Sequence, residues 1–310
     1  PRRSCRGENR TSSLRQVEKV MVTGIIIYGL VNSSILTLLA MGFSLTFGIS
    51  GVANFAHGSI YILSGYLIWI FLNWLKLPYI LSVILTVILS GLLGYVTYYA
   101  ILLRVRGISL SEVTATYALS VGMLEFFRWL GFVTYEFTIP PVLKGGVSIF
   151  GFPLDYQRIF IVLCAIGLIT FLYFFTHHTR IGLSFRAIAQ NERTAISLGI
   201  DSDKVAALSL AFGAAFAAIA ATFVLPLGII SINTGYEVLL IAISVGIVGG
   251  LESVPGIILA SLILGFVQVL AGFYLSPDWI MVIYLLAIIT VLIIMPSGLL
   301  GKFKELEERV

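Results

Sequence analysis

The stretch Gly48-Ile49-Ser50-Gly51-Val52-Ala53-Asn54-Phe55-Ala56-His57-Gly58-Ser59-Ile60, the first interruption, is a polar, glycine-rich segment between two long apolar runs. A second interruption, Gly246–Ile258, repeats glycine or isoleucine at several of the same offsets. Backbone polar groups find no water inside a bilayer, so uncoiled chain there must be buried in protein or line a cavity. Transporters place such broken helices around the solute path. The two interruptions therefore predict either a solute pathway or ordinary turns between helices.

The composition of the whole chain identifies its solvent. Of its 310 residues 59% are hydrophobic and 11% charged, with a mean hydropathy of +1.04, whereas soluble domains carry about 25% charged residues. The sequence predicts an all-α polytopic membrane protein with eight to nine spans, some of them broken or re-entrant. Glu237–Val248 is short for a span of roughly 20 residues, so a half-helix is an alternative there. The candidate spans are Met21–Phe47, Gly58–Leu75, Pro78–Leu103, Ser111–Phe132, Arg158–Thr176, Val205–Pro226, Glu237–Val248, Gly256–Leu275 and Trp279–Met295.

Basic residues indicate which loops face the cytoplasm. Residues 177–204 form the longest polar segment between spans, and Arg104 and Arg106 form another basic loop. Counting spans from these loops puts Thr134–Gln157 outside. The net charge of +4 reflects this distribution and predicts no nucleic-acid partner; the expected surroundings are membrane lipid.

The same count places the Arg-rich stretch Pro1–Lys19 outside, against the charge bias. Met21 stands at the start of the first apolar run. We therefore expect residues 1–20 to be a non-native leader or a disordered arm; an arm that stays cytoplasmic, because the first apolar stretch does not cross as drawn, is the alternative. Residues 21–302 are the predicted transmembrane domain, and residues 303–310 a cytoplasmic tail.

Several kinds of chemistry are missing from the sequence. It contains no Gly-x-x-x-x-Gly-Lys-[Ser/Thr] loop, no His-Glu-x-x-His and no Gly-x-Ser-x-Gly. We therefore predict no catalytic residue, no metal site and no cofactor in this chain. The few ionisable residues near spans, among them the expected pair Glu125 and Arg128, form no relay across the bilayer. Ion-coupled secondary transport is an alternative function that no feature of the sequence supports.

The sequence pattern of segment 177–204 predicts a short helix rather than a simple connecting loop. Ala187, Ala195, Ile196 and Leu198 alternate with polar residues as in a short amphipathic helix. Gly199 suits a left-handed helix end, and the next helix is expected to begin near Asp201 or Ser202. A solvated loop is the alternative. Gly213, Ala217 and Ala221 give the following span a face for close helix packing.

Four motifs carry a resemblance to a known family. The sequence RAIAQNERTAISLGID at Arg186–Asp201 resembles the coupling motif of permeases from ATP-binding-cassette importers. GISGVANFAHGSIYILSGY at 48–66, VGGLESVPGIILASLILG at 248–265 and Val291–Gly301 resemble the branched-chain amino-acid permease family, specifically its H-type subunit. The likeness runs from about Met21 to Lys302.

The resemblance implies an importer permease fold in the inner or plasma membrane of a prokaryote. It implies a second homologous permease subunit, two ATPases that bind ATP and Mg, and an external solute-binding protein. The expected function is inward movement of branched-chain or other small amino acids by alternating access. Urea or short amides as solutes, and an ion-coupled secondary transporter, are the alternatives.

The resemblance also suggests site residues. Members of the family often have a small residue at the position of Glu252, whose carboxylate is expected to bind a solute ammonium, pair with a basic group or lie at the cytoplasmic interface. The predicted ATPase-coupling residues are Arg186, Ala187, Gln190, Asn191, Ala195, Leu198 and Gly199. The predicted translocation-path residues are Gly51, Asn54, His57, Gly58, Gly249, Gly250, Glu252, Ser253 and Gly256.

Overall fold

The computed structural model describes residues 5–131, 137–149, 152–276 and 278–301. Residues 1–4 of the predicted arm and the predicted tail 303–310 lie outside these residues, and residues 5–20 form the first part of helix α1. Each of the nine predicted apolar segments contains a long helix. The elements are α1 Cys5–Ser50, α2 His57–Asn73, α3 Tyr79–Thr97, α4 Leu103–Val105, α5 Ser109–Trp129, β1 Gly146–Ile149, β2 Phe152–Asp155, α6 Tyr156–His178, α7 Arg180–Gln190, α8 Glu192–Ser197, α9 Ser202–Val224, α10 Ile232–Gly249, α11 Val254–Tyr274 and α12 Trp279–Ile294.

Six stretches of helix within the described residues are long and apolar enough to cross a membrane. Helix α2 has 17 residues and α12 has 16, and α5 carries Glu112, Glu125 and Arg128. The exact number of spans therefore stays a prediction. The six stretches are Met21–Ser50, Tyr79–Val105, Tyr156–His178, Ser202–Leu227, Ile232–Gly249 and Val254–Tyr274.

The predicted boundary of the seventh span is wrong. Helix α10 begins at Ile232, not at Glu237, because the Ser231 side chain accepts a hydrogen bond from the Asn233 amide and caps the helix. Its 18 residues rise about 27 Å at 1.5 Å per residue. This length favours a full crossing over a half-helix.

Helix α9 lies at the centre of the bundle, against α1, α2 and α3. Its predicted small-residue face, Gly213, Ala217 and Ala221, is buried within the chain. A side chain at Gly213 would strike Thr46 and the Gly42 carbonyl of α1. Because lipid tails are as apolar as leucine, such close packing, rather than escape from water, holds membrane helices together.

Many hydroxyl groups inside the bundle donate hydrogen bonds to the backbone, whereas the buried Ser261 Oγ has no partner among the described residues. Ser33 Oγ donates to Gly29 O at 2.7 Å, and Thr86 Oγ1 donates to Ser82 O at 2.8 Å. Helices α2 and α3 are also joined directly, because Ser64 Oγ and Ser90 Oγ lie 2.8 Å apart. These bonds let polar side chains occupy apolar surroundings without losing hydrogen bonds.

The two ends of the bundle carry different structures. At one end α7 and α8 connect α6 to α9; this is the α7–α8 end. At the other end β1 and β2 pair antiparallel, with Gly146 opposite Asp155. The Tyr28 hydroxyl donates to Pro153 O at 3.0 Å and fixes this hairpin to α1. Within the described residues, nine long helices thus run between these two ends in alternating directions, as the predicted span order requires.

Candidate functional site

Between α6 and α9 the chain forms two short helices, α7 and α8, so the prediction of one continuous amphipathic helix before Gly199 is wrong. Helix α7 ends at Gln190 because Asn191 is extended, with φ −157°. The Asn191 side chain then accepts a hydrogen bond from the Thr194 amide at 2.8 Å and caps α8. A side-chain cap of this kind starts a new helix in a new direction.

The end of α8 follows the prediction. Gly199 has φ +86°, and Ile200 N donates to Ala195 O at 3.1 Å, so the left-handed helix end is confirmed. The Asp201 carboxylate accepts from the Lys204 amide at 3.1 Å and caps α9. Hydrogen bonds from Lys204 lower the pKa of Asp201 and so favour the ionised form of this capping carboxylate.

The two helices have one anchored side and one open side. Phe185, which the sequence reasoning missed, is 1% exposed and lies edge-on to Phe175 and Phe212. Ile188 and Ala195 are buried beside it, and Ala187 is half-buried. The other predicted coupling residues are exposed: Arg186, Gln190, Asn191, Leu198 and Gly199.

The first interruption turns back from the end of α1 into the bundle, where α2 begins beside the middle of α1. Asn54 and His57 are buried; Asn54 Oδ1 accepts from Ala56 N at 3.1 Å, and His57 Nε2 lies 3.0 Å from Leu39 O. Gly58 crosses Gly235 of α10 so closely that a Cβ atom would clash with the Gly235 carbonyl oxygen. These residues join α1, α2 and α10.

The second interruption is a tight turn from α10 to α11. An added Cβ at Gly249 would lie 2.6 Å from the Gly256 carbonyl oxygen. Gly250 has φ +97°, and the Ser253 side chain caps α11 by accepting from Gly256 N at 3.1 Å. The glycines therefore serve a close helix contact and a left-handed turn, and Ser253 begins a helix.

Residues 296–301, the C-terminal turn, pack against the second interruption. Leu299 N donates to Val248 O at 2.8 Å and Leu300 N to Gly249 O at 3.1 Å. Two of the motifs that carry the family resemblance thus lie in contact, although about 50 residues separate them in the sequence.

The structure brings the two interruptions together. Ser44 Oγ, near the end of α1, donates to Leu251 O at 2.7 Å, and Gly48 lies against Glu252. Among the predicted path residues Glu252 is exposed and Gly51 and Ser253 are half-buried, whereas Asn54, His57, Gly58, Gly249, Gly250 and Gly256 are buried. Their role in a solute path, and the role of Glu252, stay predictions.

A charged cluster that the sequence reasoning missed lies beside α8. Arg106 Nη2 is 2.5 Å from Glu192 Oε1, and its Nη1 contacts Asp203 Oδ1. Tyr98 and Ser202 complete this group, the Arg106 cluster. The only sequence signal was the basic loop that contains Arg106, because Glu192 is 86 residues away.

Helix α5 exposes a face unlike that of a lipid-facing helix. Between Leu110 and Phe126 its exposed residues are small or polar: Thr114, Tyr117, Ala118, Gly122 and Glu125. On α3 the exposed residues between Tyr79 and Thr97 are all large and apolar: Ile80, Leu81, Ile84, Ile88, Leu89, Leu92 and Val96. Polar side chains within membrane segments face protein or water rather than lipid, so the composition of this part of α5 favours contact with protein or water.

The α5 face continues onto α10. Glu125 and Arg128 form the predicted ion pair, with 3.0 Å between Oε1 and Nη1. Tyr236, at the start of α10, interacts electrostatically with both of them. Tyr236 is exposed, and so is the neighbouring Glu237. A polar surface therefore extends along α5 and reaches the hairpin end of the bundle.

An apolar cavity of about 610 Å³ lies between α3, α6 and α9. Its walls include Phe160, Leu163 and Phe216. It offers almost no polar group to orient a charged solute, so it is a poor candidate for a solute site. In the described part of the chain no three His, Cys, Asp or Glu residues are grouped to hold a metal ion.

Comparisons with known proteins match nearly the whole chain. A family model described as the permease component of the branched-chain amino acid transport system matches residues 25–292. The high-affinity permease protein BraD of Pseudomonas aeruginosa is 28% identical over 294 residues, which cover 89% of this chain and 95% of BraD. LivH of Salmonella typhimurium is 29% identical over 289 residues, covering 88% of this chain and 94% of LivH.

A probable LivH of the archaeon Methanocaldococcus jannaschii is 29% identical over 308 residues, covering 92% of this chain and 93% of that protein. Among solved structures, PsaBC from Streptococcus pneumoniae in complex with Fab aligns with a TM-score of 0.51. That alignment covers 92% of this chain and 96% of the other, at 12% identity. At that identity the likeness concerns the fold alone.

Proposed function

This chain belongs to the family of branched-chain amino acid transport permeases, and on that basis we propose that it is the membrane-spanning subunit of an ATP-driven importer of branched-chain or other small amino acids. The match over residues 25–292 carries the proposal. Curated relatives named as permeases of branched-chain amino acid transport support the solute class. The relatives are transport proteins, and the chain's own contribution is translocation rather than catalysis.

The partners in this proposal are a second homologous permease, two ATP-binding-cassette ATPases and an external solute-binding protein. ATP and Mg bind to the ATPases. The open side of α7 and α8 contacts them, with Arg186, Gln190, Asn191, Leu198 and Gly199 on that surface. In support, Leu198 is 76% exposed, an unusual position for a leucine unless a partner covers it.

The solute path in this proposal runs along the exposed face of α5, between this chain and the second permease. Thr114, Tyr117 and Glu125 provide polar groups there, and such groups are costly against lipid. Three predicted path residues reach the surface at the α7–α8 end, a position that suits the exit of the solute path: Gly51, Glu252 and Ser253. The buried members of the predicted path hold the helices around it.

Purification of the tagged chain from its own membranes, followed by reconstitution into liposomes, tests the function. Mass spectrometry should identify two kinds of membrane-associated subunit, an ATPase and a second permease. Radiolabelled leucine, isoleucine or valine should enter the vesicles only with ATP on the ATPase side and with the binding protein present. Uptake driven by an ion gradient without ATP would favour the secondary transporter. Uptake of urea or acetamide, unaffected by excess leucine, would assign the amide alternative.

A further inference from the structure

The Arg106 cluster joins two parts of the chain that are distant in sequence, residues 98–106 and residues 192–203. The Nη2 atom of Arg106 contacts Glu192 of α8 at 2.5 Å and Ser202 Oγ at 3.0 Å. Its Nη1 atom contacts Asp203 of α9 and lies 3.0 Å from the Tyr98 hydroxyl. The Tyr98 hydroxyl in turn donates to Asp203 Oδ1 at 2.7 Å. One guanidinium group therefore connects α8, the start of α9 and the end of α3.

This arrangement differs from an isolated surface ion pair, because one guanidinium group contacts two carboxylates and two hydroxyl groups. Isolated exposed pairs contribute about 0–1 kcal/mol, whereas charges in a shared, partly buried network support one another. The Arg106 side chain is 30% exposed, against 43% for Glu192 and 45% for Asp203. The planar guanidinium also directs separate N–H groups at two carboxylates, which a lysine ammonium does not reproduce.

Helix α8 depends on such external support. It has six residues, too few to be stable as an isolated helix. Ala195 is its one buried side chain. The ion pair between Glu192, in the first turn of α8, and Arg106 is a second anchor. Through Arg106 it connects α8 to the membrane helices.

The other side of the cluster is firmly embedded. Tyr98 is 2% exposed and lies in a π-helical turn, Tyr98–Leu102, that continues α3. Such turns often mark functional positions within helices. Ser202 and Asp203 begin α9, the central helix of the bundle. A displacement of α8 would therefore pull on both α3 and α9.

We propose that Arg106 is a positioning residue that fixes α8 to α3 and α9 and passes the movement of an ATPase bound at α8 to these two membrane helices. This inference rests on the proposed function, in which segment 177–204 is the ATPase contact. It assigns transmission to a residue outside the ATPase-contacting surface.

The test compares Arg106→Gln, Glu192→Gln and the double variant in the complete transporter, reconstituted with its ATPases and binding protein. The control is Arg104→Gln, which removes the same charge from an exposed residue two positions away. The measured quantity is the amount of solute imported per ATP hydrolysed, together with the amount of ATPase retained during purification. Amide hydrogen exchange of residues 192–197 reports the anchoring of α8.

Arg106→Gln and Glu192→Gln should each lower import per ATP about tenfold, while the ATPases stay bound and continue to hydrolyse ATP; coupled residues show interaction energies of this order. The double variant should be no worse than the more damaging single variant. Exchange in α8 should accelerate in all three, and Arg104→Gln should match the wild type. Arg106→Lys should recover only part of the loss, because it cannot bridge both carboxylates.

Import per ATP in Arg106→Gln equal to that in Arg104→Gln would overturn the proposal, as would losses that multiply in the double variant. If Arg106→Gln does not accumulate in the membrane, Glu192→Gln decides alone, because it leaves the contact between Arg106 and Asp203 in place. A wild-type complex that imports no amino acid would instead refute the proposed function. The two failures are therefore distinguishable.

Discussion

Gly58 is a residue whose importance depends on its lack of a side chain. Its Cα faces the Gly235 carbonyl of α10, where no Cβ atom fits. We expect Gly58→Ala to push α2 away from α10 and to destabilise the protein by about 1–3 kcal/mol, the usual cost of overpacking. Thermal unfolding in detergent, followed by size-exclusion fluorescence, measures this change.

The matched control is Gly272→Ala in α11, where an added Cβ meets nothing within 4 Å. It should leave the unfolding temperature nearly unchanged. Equal unfolding temperatures for the two variants would show that the crossing of α2 and α10 is looser than the structure indicates.

Gly199 is required for a different reason. An added Cβ there has open space, but φ is +86°, and left-handed backbone costs an ordinary L-residue roughly 1–2 kcal/mol. We expect Gly199→Val to distort the end of α8, to reduce ATPase co-purification and to abolish uptake, while the membrane helices remain folded. Asparagine tolerates this backbone conformation, so Gly199→Asn should retain both ATPase co-purification and solute uptake. Full uptake by Gly199→Val would contradict the coupling role of this turn.

Helices differ in what their exposed faces can contact. The α5 face contains small and polar residues, and the α3 face contains large apolar ones. In the complete transporter, we expect single cysteines at Thr114, Ala118 or Gly122 to react with a small water-soluble thiol reagent at rates that solute or ATP changes. Cysteines at Ile84 or Ile88 of α3 should not react, because lipid excludes the reagent. Equal reactivity on the two faces would contradict the proposed path.

Apolar helices were predictable from the sequence because each needs only local information. The break between α7 and α8 was not predictable, because the residues on both sides of Asn191 favour a helix. Asn191 both ends α7 and caps α8. The start of α10 was missed for a related reason: Asn233 and Tyr236 look polar, but Ser231 caps a helix that includes them. The Arg106 cluster depends on tertiary contacts between residues far apart in the chain, and no local pattern reveals those.

The molecule as a whole has two distinct ends, and this predicts how it lies in the membrane. We expect a membrane-impermeant thiol reagent to label Ser148→Cys, in the hairpin, from outside intact cells, because the charge bias places segment 177–204 in the cytoplasm. Ser197→Cys, in α8, should react only in inside-out vesicles. Both residues are exposed, and the background lacks Cys5 and Cys164. Labelling of both positions from the same side would show that α6 does not cross the membrane between them.

The C-terminal turn has a consequence for the order in which this protein is completed during synthesis. The last carbonyl groups of a helix have no partner within it, and at α10 Val248 and Gly249 receive theirs from Leu299 and Leu300. A ribosome must therefore translate α11 and α12 before the end of α10 is sealed. A chain that stalls within α12 keeps this junction open, with the carbonyl groups of Val248 and Gly249 lacking these two hydrogen bonds.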